Sequence, residues 1–131
     1  MAAGVERILL VDDEKGIMFA MSHYFQRHGF AVDCAADPDA ARLFLGEREY
    51  ALAIIDIHLI GRAGADGLDL AELICRERST TAVIIMTALD TPENERRAAE
   101  MGIRSFVRKP VRLAHVANVA FELLGRTATA V

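Results

Sequence analysis

The chain has no tryptophan, only two cysteines and only three prolines in 131 residues. Cys34 and Cys75 show no CxxC spacing and no Cys/His cluster around either, so neither a disulfide framework nor a thiolate zinc site is expected. That cysteine usage belongs to a reducing cytoplasm. No run of about 18 apolar residues occurs, and the first twelve residues already read as folded chain, so neither a membrane span nor a signal peptide is expected. Positive charge is also short, with 15 Lys and Arg against 19 Asp and Glu and a formal charge of −4, which argues against wrapping a nucleic acid. What is present is globular: 53% hydrophobic and 26% charged residues exclude a disordered chain. A chain of this length buries roughly two-thirds of its unfolded surface. The expectation is a single cytoplasmic domain over residues 1–131 with space for one site.

Short apolar runs alternate with amphipathic stretches, and no repeat or linker interrupts them until the last few residues. Arg7-Ile8-Leu9-Leu10-Val11 ends on Asp12-Asp13, and Ala51-Leu52-Ala53-Ile54-Ile55 ends on Asp56. Ala82-Val83-Ile84-Ile85-Met86 ends on Thr87, Ser105-Phe106-Val107 leads into Arg108-Lys109-Pro110, and Ala31-Val32-Asp33-Cys34 is a weaker run. Strands apolar at consecutive positions are covered on both faces, which indicates a parallel sheet. Between them, Ile17, Met21, Tyr24 and Phe25 form a helical stripe closed by Gly29. Asp37-Pro38 and Thr91-Pro92 open the second and fourth helices, and Gly102 closes the fourth. Leu68, Ala71, Leu73, Ile74 and Cys75 stripe the third; Val116, Val119, Ala120, Leu123 and Leu124 stripe the fifth. Five βα units make an α/β, doubly wound, flavodoxin-like (βα)5 domain with strand order 2-1-3-4-5.

In open α/β sheets ligands bind beyond the carboxyl ends of the strands, where strand order reverses. Asp12 and Asp13 end strand 1, Asp56 ends strand 3, Thr87 ends strand 4 and Lys109 ends strand 5. Each has an ordinary reading alone: Asp13 as a helix cap, Thr87 as a turn hydroxyl, Lys109 as a solvated charge. Together they converge on one edge. Three close carboxylates repel unless a cation lies between them, and a hard divalent ion such as Mg²⁺ suits oxygen ligands. A carboxylate can also accept a phosphoryl group as an acyl phosphate, with a cation, a lysine and a hydroxyl neutralising the transferring oxygens. Asp12 and Asp13 for metal, Asp56 for attack, and Thr87 and Lys109 for the phosphoryl oxygens form a complete set.

At Val11-Asp12-Asp13-Glu14, Ile54-Ile55-Asp56, Met86-Thr87-Ala88 and Phe106-Val107-Arg108-Lys109-Pro110 the chain resembles the receiver domain of two-component response regulators, over roughly Val5 to Leu124. The resemblance implies Mg²⁺-dependent phosphoryl transfer to Asp56 from a phosphohistidine on a sensor histidine kinase or phosphotransfer protein. It implies Asp13 as the main metal ligand, Asp12 assisting through water, Asp56 beside them, and the carbonyl of His58 completing the set. It further implies that Lys109 pairs with Asp56 and then its phosphate, and that Lys109-Pro110 is cis. Thr87 and Phe106 would be the switch pair, the hydroxyl drawn inward and the aromatic following, although Phe106 also reads as an ordinary core residue. The helix from Pro92 to Met101 offers only Ala98, Ala99 and Met101 as apolar anchors, which suits a shifting element.

Arg96, Arg97, Arg104, Arg108, Lys109 and Arg112 concentrate positive charge near helix 4, strand 5 and helix 5. The family uses that surface for phosphorylation-dependent homodimers and for downstream targets. One departure is the loop after Asp56. Ile60 replaces the family's proline, and the matching glycine is Gly67, eleven residues on rather than eight. The stretch Gly61-Arg62-Ala63-Gly64-Ala65-Asp66-Gly67 is therefore long and glycine-rich, and Arg62 is expected to approach the acyl phosphate or the partner. His23, His28, His58 and His115 lack metal-ligand spacing, so their rings read as surface groups.

These features lead to a phosphoacceptor receiver that catalyses only its own phosphorylation and dephosphorylation, with no external product. Its output would be a downstream protein or an output domain, since residues 125–131 leave only a short tail; the chain reads as a single-domain regulator or a receiver cut from a longer one. Three rivals stand against it. An aspartyl-phosphate phosphatase wants its nucleophile at strand 1 with an acid two residues on, met here only by Asp12 and Glu14 and without a cap domain. A flavin-binding domain needs a phosphate-cradling loop where Asp12-Asp13-Glu14 would repel phosphate. A phosphorylation-independent receiver-like interaction module is disfavoured by the complete acidic set.

Overall fold

The computed structural model describes residues 4–58, 66–88 and 91–125. Strands and helices alternate as the periodicity requires: β1 (Arg7–Val11), α1 (Lys15–Arg27), β2 (Ala31–Ala35), α2 (Pro38–Glu47), β3 (Leu52–Asp56), α3 (Gly67–Glu77), β4 (Ala82–Thr87), α4 (Pro92–Glu100), β5 (Phe106–Arg108) and α5 (Leu113–Leu123). Every strand pairing is parallel, and the sheet order is β2-β1-β3-β4-β5.

Consecutive apolar residues along each strand serve two separate cores. Ile8, Leu10, Leu52, Ile54, Ile84 and Met86 pack against Met18, Met21 and Phe25 of α1 and Val116, Ala120 and Phe121 of α5. The intervening residues Leu9, Val11, Ala53, Ile55, Val83 and Ile85 pack on the opposite face with Ala41 and Leu45 of α2, Leu68, Ala71 and Ile74 of α3, and Ala98 of α4. The sheet is thus sealed on both faces, and only its ends are open to ligand.

The helices begin where their caps stand. Asp37 Oδ1 accepts the Ala40 amide at 2.8 Å ahead of Pro38, and Thr91 Oγ1 accepts the Asn94 amide at 3.1 Å ahead of Pro92. Asp66 and Asp69 cap α3 reciprocally, each carboxylate accepting the other's amide at 2.9 Å. Such caps are each worth about 1 kcal/mol. Gly29 and Gly102, expected to close α1 and α4, lie at φ 92° and 84°.

Two stripes differ from expectation. In α5 the buried set is Val116, Ala117, Ala120 and Phe121, whereas Leu123 is 42% exposed and Val119 and Leu124 are only partly covered. The cause is Phe121, whose ring stacks on Phe30 at 6.3 Å and meets Phe25 edge-on at 6.2 Å. A large ring seated against two others fixes the helix rotation more strongly than a leucine. In α3, Leu70 is fully buried while Leu73 and Cys75 are half-buried. Among the described residues no helix is long and apolar enough to cross a membrane.

The β2 edge is pinned by Asp33. Its carboxylate accepts the Tyr50 hydroxyl at 2.7 Å and Arg48 Nη1 at 2.8 and 2.9 Å, with Arg7 Nη1 at 3.5 Å. Partial burial opposes its ionisation, but the hydrogen bonds from Tyr50 and Arg48 outweigh it and hold the carboxyl below its ordinary 3.8. A depressed carboxylate contributes stability that is present above its unfolded pKa and lost as pH falls through the folded one. Asp33→Asn is therefore expected to lose about 1–2 kcal/mol at pH 7, the scale of charge-assisted hydrogen bonds. In urea melts the gap between the variant and the parent should narrow progressively as pH falls below 3.8; a gap that widens as pH falls contradicts this account.

Candidate functional site

The carboxyl ends of β1, β3, β4 and β5 bring the polar residues together because the parallel register aligns them. Asp56 pairs with Met86, and Thr87 with Arg108, so the carboxyl ends of β3, β4 and β5 lie side by side. Asp12, Asp56 and Thr87 are buried, and Asp13 is exposed. Asp12, Asp13 and Asp56 each offer an oxygen, all within 4.8 Å of one another, an acidic group that could hold a metal ion.

Lys109 is the cationic centre of the cluster. Its Nζ donates to Asp56 Oδ2 at 2.8 Å and to Glu14 Oε1 at 2.6 Å, and it lies 2.9 Å from Asp12 Oδ2. Its backbone amide donates to the Thr87 carbonyl at 2.9 Å, and the Lys109-Pro110 bond is cis. Burial disfavours the ammonium, but its ties to Asp56, Glu14 and Asp12 outweigh that, so its pKa lies above the usual lysine value. Asp12 responds in the other direction. Desolvation raises its pKa, only partly offset by the Glu14 amide, which donates to Oδ1 at 2.9 Å, and by Lys109. Its buried Oδ2 is ion-paired with Nζ at 2.9 Å and has no other polar contact among the described residues. Three carboxylates, two of them buried, with ligand oxygens within 4.8 Å of one another fit a hard divalent cation in chemistry and in charge.

Asp56 is held at both oxygens. Oδ2 takes Lys109, and Oδ1 accepts the His58 amide at 2.9 Å. The backbone behind it is backed by Gly67, the first residue of α3. A Cβ on Gly67 would lie 2.4 Å from the Asp56 carbonyl oxygen and 2.5 Å from Ile57 Cα. Close approach of two backbones, rather than an unusual φ, is what requires glycine here. The glycine expected to match the family's position despite the longer loop therefore does pack against the end of β3. Arg62, on which the expectation about that loop rested, lies outside the described residues.

Two groups were missed at the sequence level. Glu14 supplies the shortest contact to Lys109; the signal was a third acid directly after Asp12-Asp13. His58 is exposed, as expected of a surface histidine, but its Nε2 lies 2.9 Å from Thr87 Oγ1, across from β3 to β4, a contact that no sequence signal announces. His23 and His115 are exposed as expected, and His28 binds the Tyr24 carbonyl through Nδ1 at 2.9 Å. Phe106 is half-buried, in register with Ile85 and packed on the α2–α4 side of the sheet. Of the basic residues, Arg97 pairs with Asp69 at 3.1 Å, while Arg96, Arg104, Arg108 and Arg112 are exposed.

The family described as the response regulator receiver domain matches residues 8–120. The transcriptional regulatory protein TctD of Salmonella typhimurium is 30% identical over 122 residues, covering 93% of this chain and 53% of its own length. ResD of Bacillus subtilis, also a transcriptional regulatory protein, is 32% identical over 104 residues, covering 79% of this chain and 42% of its own. The chain thus spans about half the length of the curated relatives it matches. Among solved structures, a receiver domain protein from Methanospirillum hungatei shares the fold with a TM-score of 0.85 at 24% identity, covering 93% of this chain and 95% of that one. A response regulator receiver protein from Pseudomonas putida has a TM-score of 0.78 at 26% identity, covering 95% and 98%.

Two outcomes follow from this geometry. Gly67→Ala is expected to cost about 1–3 kcal/mol by overpacking two backbones. Gly46→Ala, whose added Cβ meets nothing within 4 Å, should be neutral or stabilising by less than about 1 kcal/mol; equal urea midpoints for the two would contradict the close-approach argument. Asp12→Asn removes one charge from an over-acidic cluster. It should raise the melting temperature of the metal-free protein by about 2–4 °C and remove the further rise expected of the parent in magnesium chloride. A lower melting temperature in the variant would refute the charge-crowding reading.

Proposed function

The chain belongs to the response regulator receiver domain family, and on that footing we propose that it is a phosphoacceptor of two-component signalling, with Asp56 as the residue that takes the phosphoryl group. The single observation that carries this reading is the Asp56 carboxylate, oriented at both oxygens by Lys109 and the His58 amide beside the Asp12 and Asp13 carboxylates. A nucleophile so fixed needs little reorganisation to meet a phosphorus atom in line.

The donor in this reading is a phosphohistidine on a sensor histidine kinase or a phosphotransfer protein. An Asp56 oxygen forms the new O–P bond as the P–N bond breaks, and the electron pair leaves with the imidazole nitrogen, which takes up a proton. Asp12, Asp13, Asp56 and the His58 carbonyl would hold Mg²⁺, which when bound supplies charge neutralisation to the phosphoryl oxygens. Lys109 turns its ammonium from the Asp56 carboxylate to the phosphate, and the Thr87 hydroxyl donates to a phosphoryl oxygen. Phe106, in register with Ile85 beside that strand, follows the movement of Thr87 as the second switch residue. A response regulator from Burkholderia pseudomallei, alike in fold with a TM-score of 0.75 at 20% identity, holds a phosphorylated aspartic acid and a calcium ion. That supports an aspartate and divalent-ion pairing in this fold.

Receiver domains are signalling modules, so turnover of an external substrate is not part of this reading. The exposed Arg96, Arg104, Arg108 and Arg112 suit an acidic face on a downstream protein, on an output domain or on a second copy meeting α4, β5 and α5. The setting is cytoplasmic, where kinase and phosphodonor meet the domain.

The test is intact-protein mass after incubation with acetyl phosphate. The parent should gain one phosphoryl group in Mg²⁺, gain none when the metal is chelated, and gain none as Asp56→Asn. An equal gain in the variant would remove Asp56 from the role. A parent that stays unlabelled by every donor would leave the phosphorylation-independent interaction module as the correct reading.

A further inference from the structure

The His58 side chain has no task in the phosphoacceptor reading, which uses only its amide and carbonyl. It nevertheless crosses from the end of β3 to that of β4 and meets Thr87 Oγ1 at 2.9 Å through Nε2. Thr87 is fully buried, and its carbonyl is already engaged by the Lys109 amide. Its hydroxyl is the group that must reach a phosphoryl oxygen when Asp56 is modified.

A hydroxyl has one proton to donate. If the ring nitrogen accepts, that proton is committed to His58. If the ring N–H donates, the hydroxyl oxygen is anchored to His58 and its remaining directions are fixed by that bond. Where Nε2 accepts, the hydroxyl must release the ring before its one proton can reach a phosphoryl oxygen on Asp56; where the ring N–H donates, the bond tethers Oγ1 to the exposed His58 ring.

We propose that His58 is a positioning residue that latches the Thr87 hydroxyl in the unphosphorylated state, so that breaking the His58–Thr87 hydrogen bond is part of the cost of phosphorylating Asp56. The inference rests on the phosphoacceptor reading of Asp56 and adds to it the side chain that sets how readily the switch moves. It makes the residue two places after the acceptor a determinant of phosphorylation rate through Thr87, separately from any metal held by its main-chain carbonyl.

The test is a double-mutant cycle on the full chain, measuring the initial rate of Mg²⁺-dependent labelling by acetyl phosphate for the parent, His58→Ala, Thr87→Ala and the double variant. A net hydrogen bond of ordinary strength predicts roughly two- to tenfold faster labelling of His58→Ala than of the parent, and no acceleration from His58→Ala when Thr87 is already alanine. Alanine retains the carbonyl, so a metal effect alone would appear in both backgrounds. Unchanged or slower labelling of His58→Ala, or an equal acceleration in both backgrounds, overturns the latch while leaving Asp56 as acceptor. Absence of any labelling of the parent overturns both. A second measurement does not need phosphorylation: the His58 Nε2 resonance should shift in Thr87→Val, which keeps the shape and removes the hydroxyl, and an unshifted resonance overturns the contact itself.

Discussion

One ammonium among four carboxylates governs this molecule. Lys109 Nζ lies within 2.9 Å of oxygens from Asp12, Glu14 and Asp56, and Asp13 stands in the same acidic group. Before desolvation and screening, each close pair attracts by about 4 kcal/mol at an effective dielectric constant of about 20, and the pair with half-exposed Glu14 nets at most about 1 kcal/mol. The attractions therefore stabilise Lys109 while the carboxylates repel one another by similar amounts. Asp12 feels this most, since it is buried and has its pKa raised by desolvation despite the Lys109 ion pair. A cluster left so negative is one that could hold a further cation.

Such a cluster survives only on a rigid support. The strands that carry it are buried on both faces, with Leu9, Ile55 and Ile85 in one core and Leu10, Ile54 and Ile84 in the other. Strand ends cannot retreat from one another without breaking both cores. The backbone contact of Gly67 with Asp56, and the Lys109 amide on the Thr87 carbonyl, tie the first residue of α3 and the exit of β5 to the same point. Apolar packing thus holds the backbone beneath the charged side chains.

Much of this was legible in the residue order. Consecutive apolar runs ending in Asp12, Asp56, Thr87 and Lys109 are enough to place those groups at one edge, because a parallel sheet sends every strand end the same way. What was not legible depends on side-chain reach between elements. The bond from the His58 ring to Thr87 spans 29 residues of sequence, and that from Glu14 to Lys109 spans 95, so no periodicity announces either. The rotation of α5 was misjudged for a related reason. Apolar residues surround much of that helix, and only the fit of Phe121 against Phe25 and Phe30 decides which face turns inward.

The same contrast between firm and light anchoring bears on where a change at Thr87 would go. Thr87 is the last residue of β4, and the next helix in the chain is α4, whose one buried residue is Ala98. An alanine buries little area, so α4 depends also on the contact of Arg97 with Asp69, an ion pair partly open to solvent and worth at most about 1 kcal/mol. Asp69 is itself half of the Asp66–Asp69 capping box at the start of α3, the helix whose first residue presses on Asp56. The lightly held helix is therefore linked to the site from both sides, through the chain at Thr87 and through Asp69 at the head of α3. Displacing α4 sacrifices little packing, whereas displacing β3 or β4 would disrupt both cores, so rearrangement at the strand ends is most cheaply absorbed by α4.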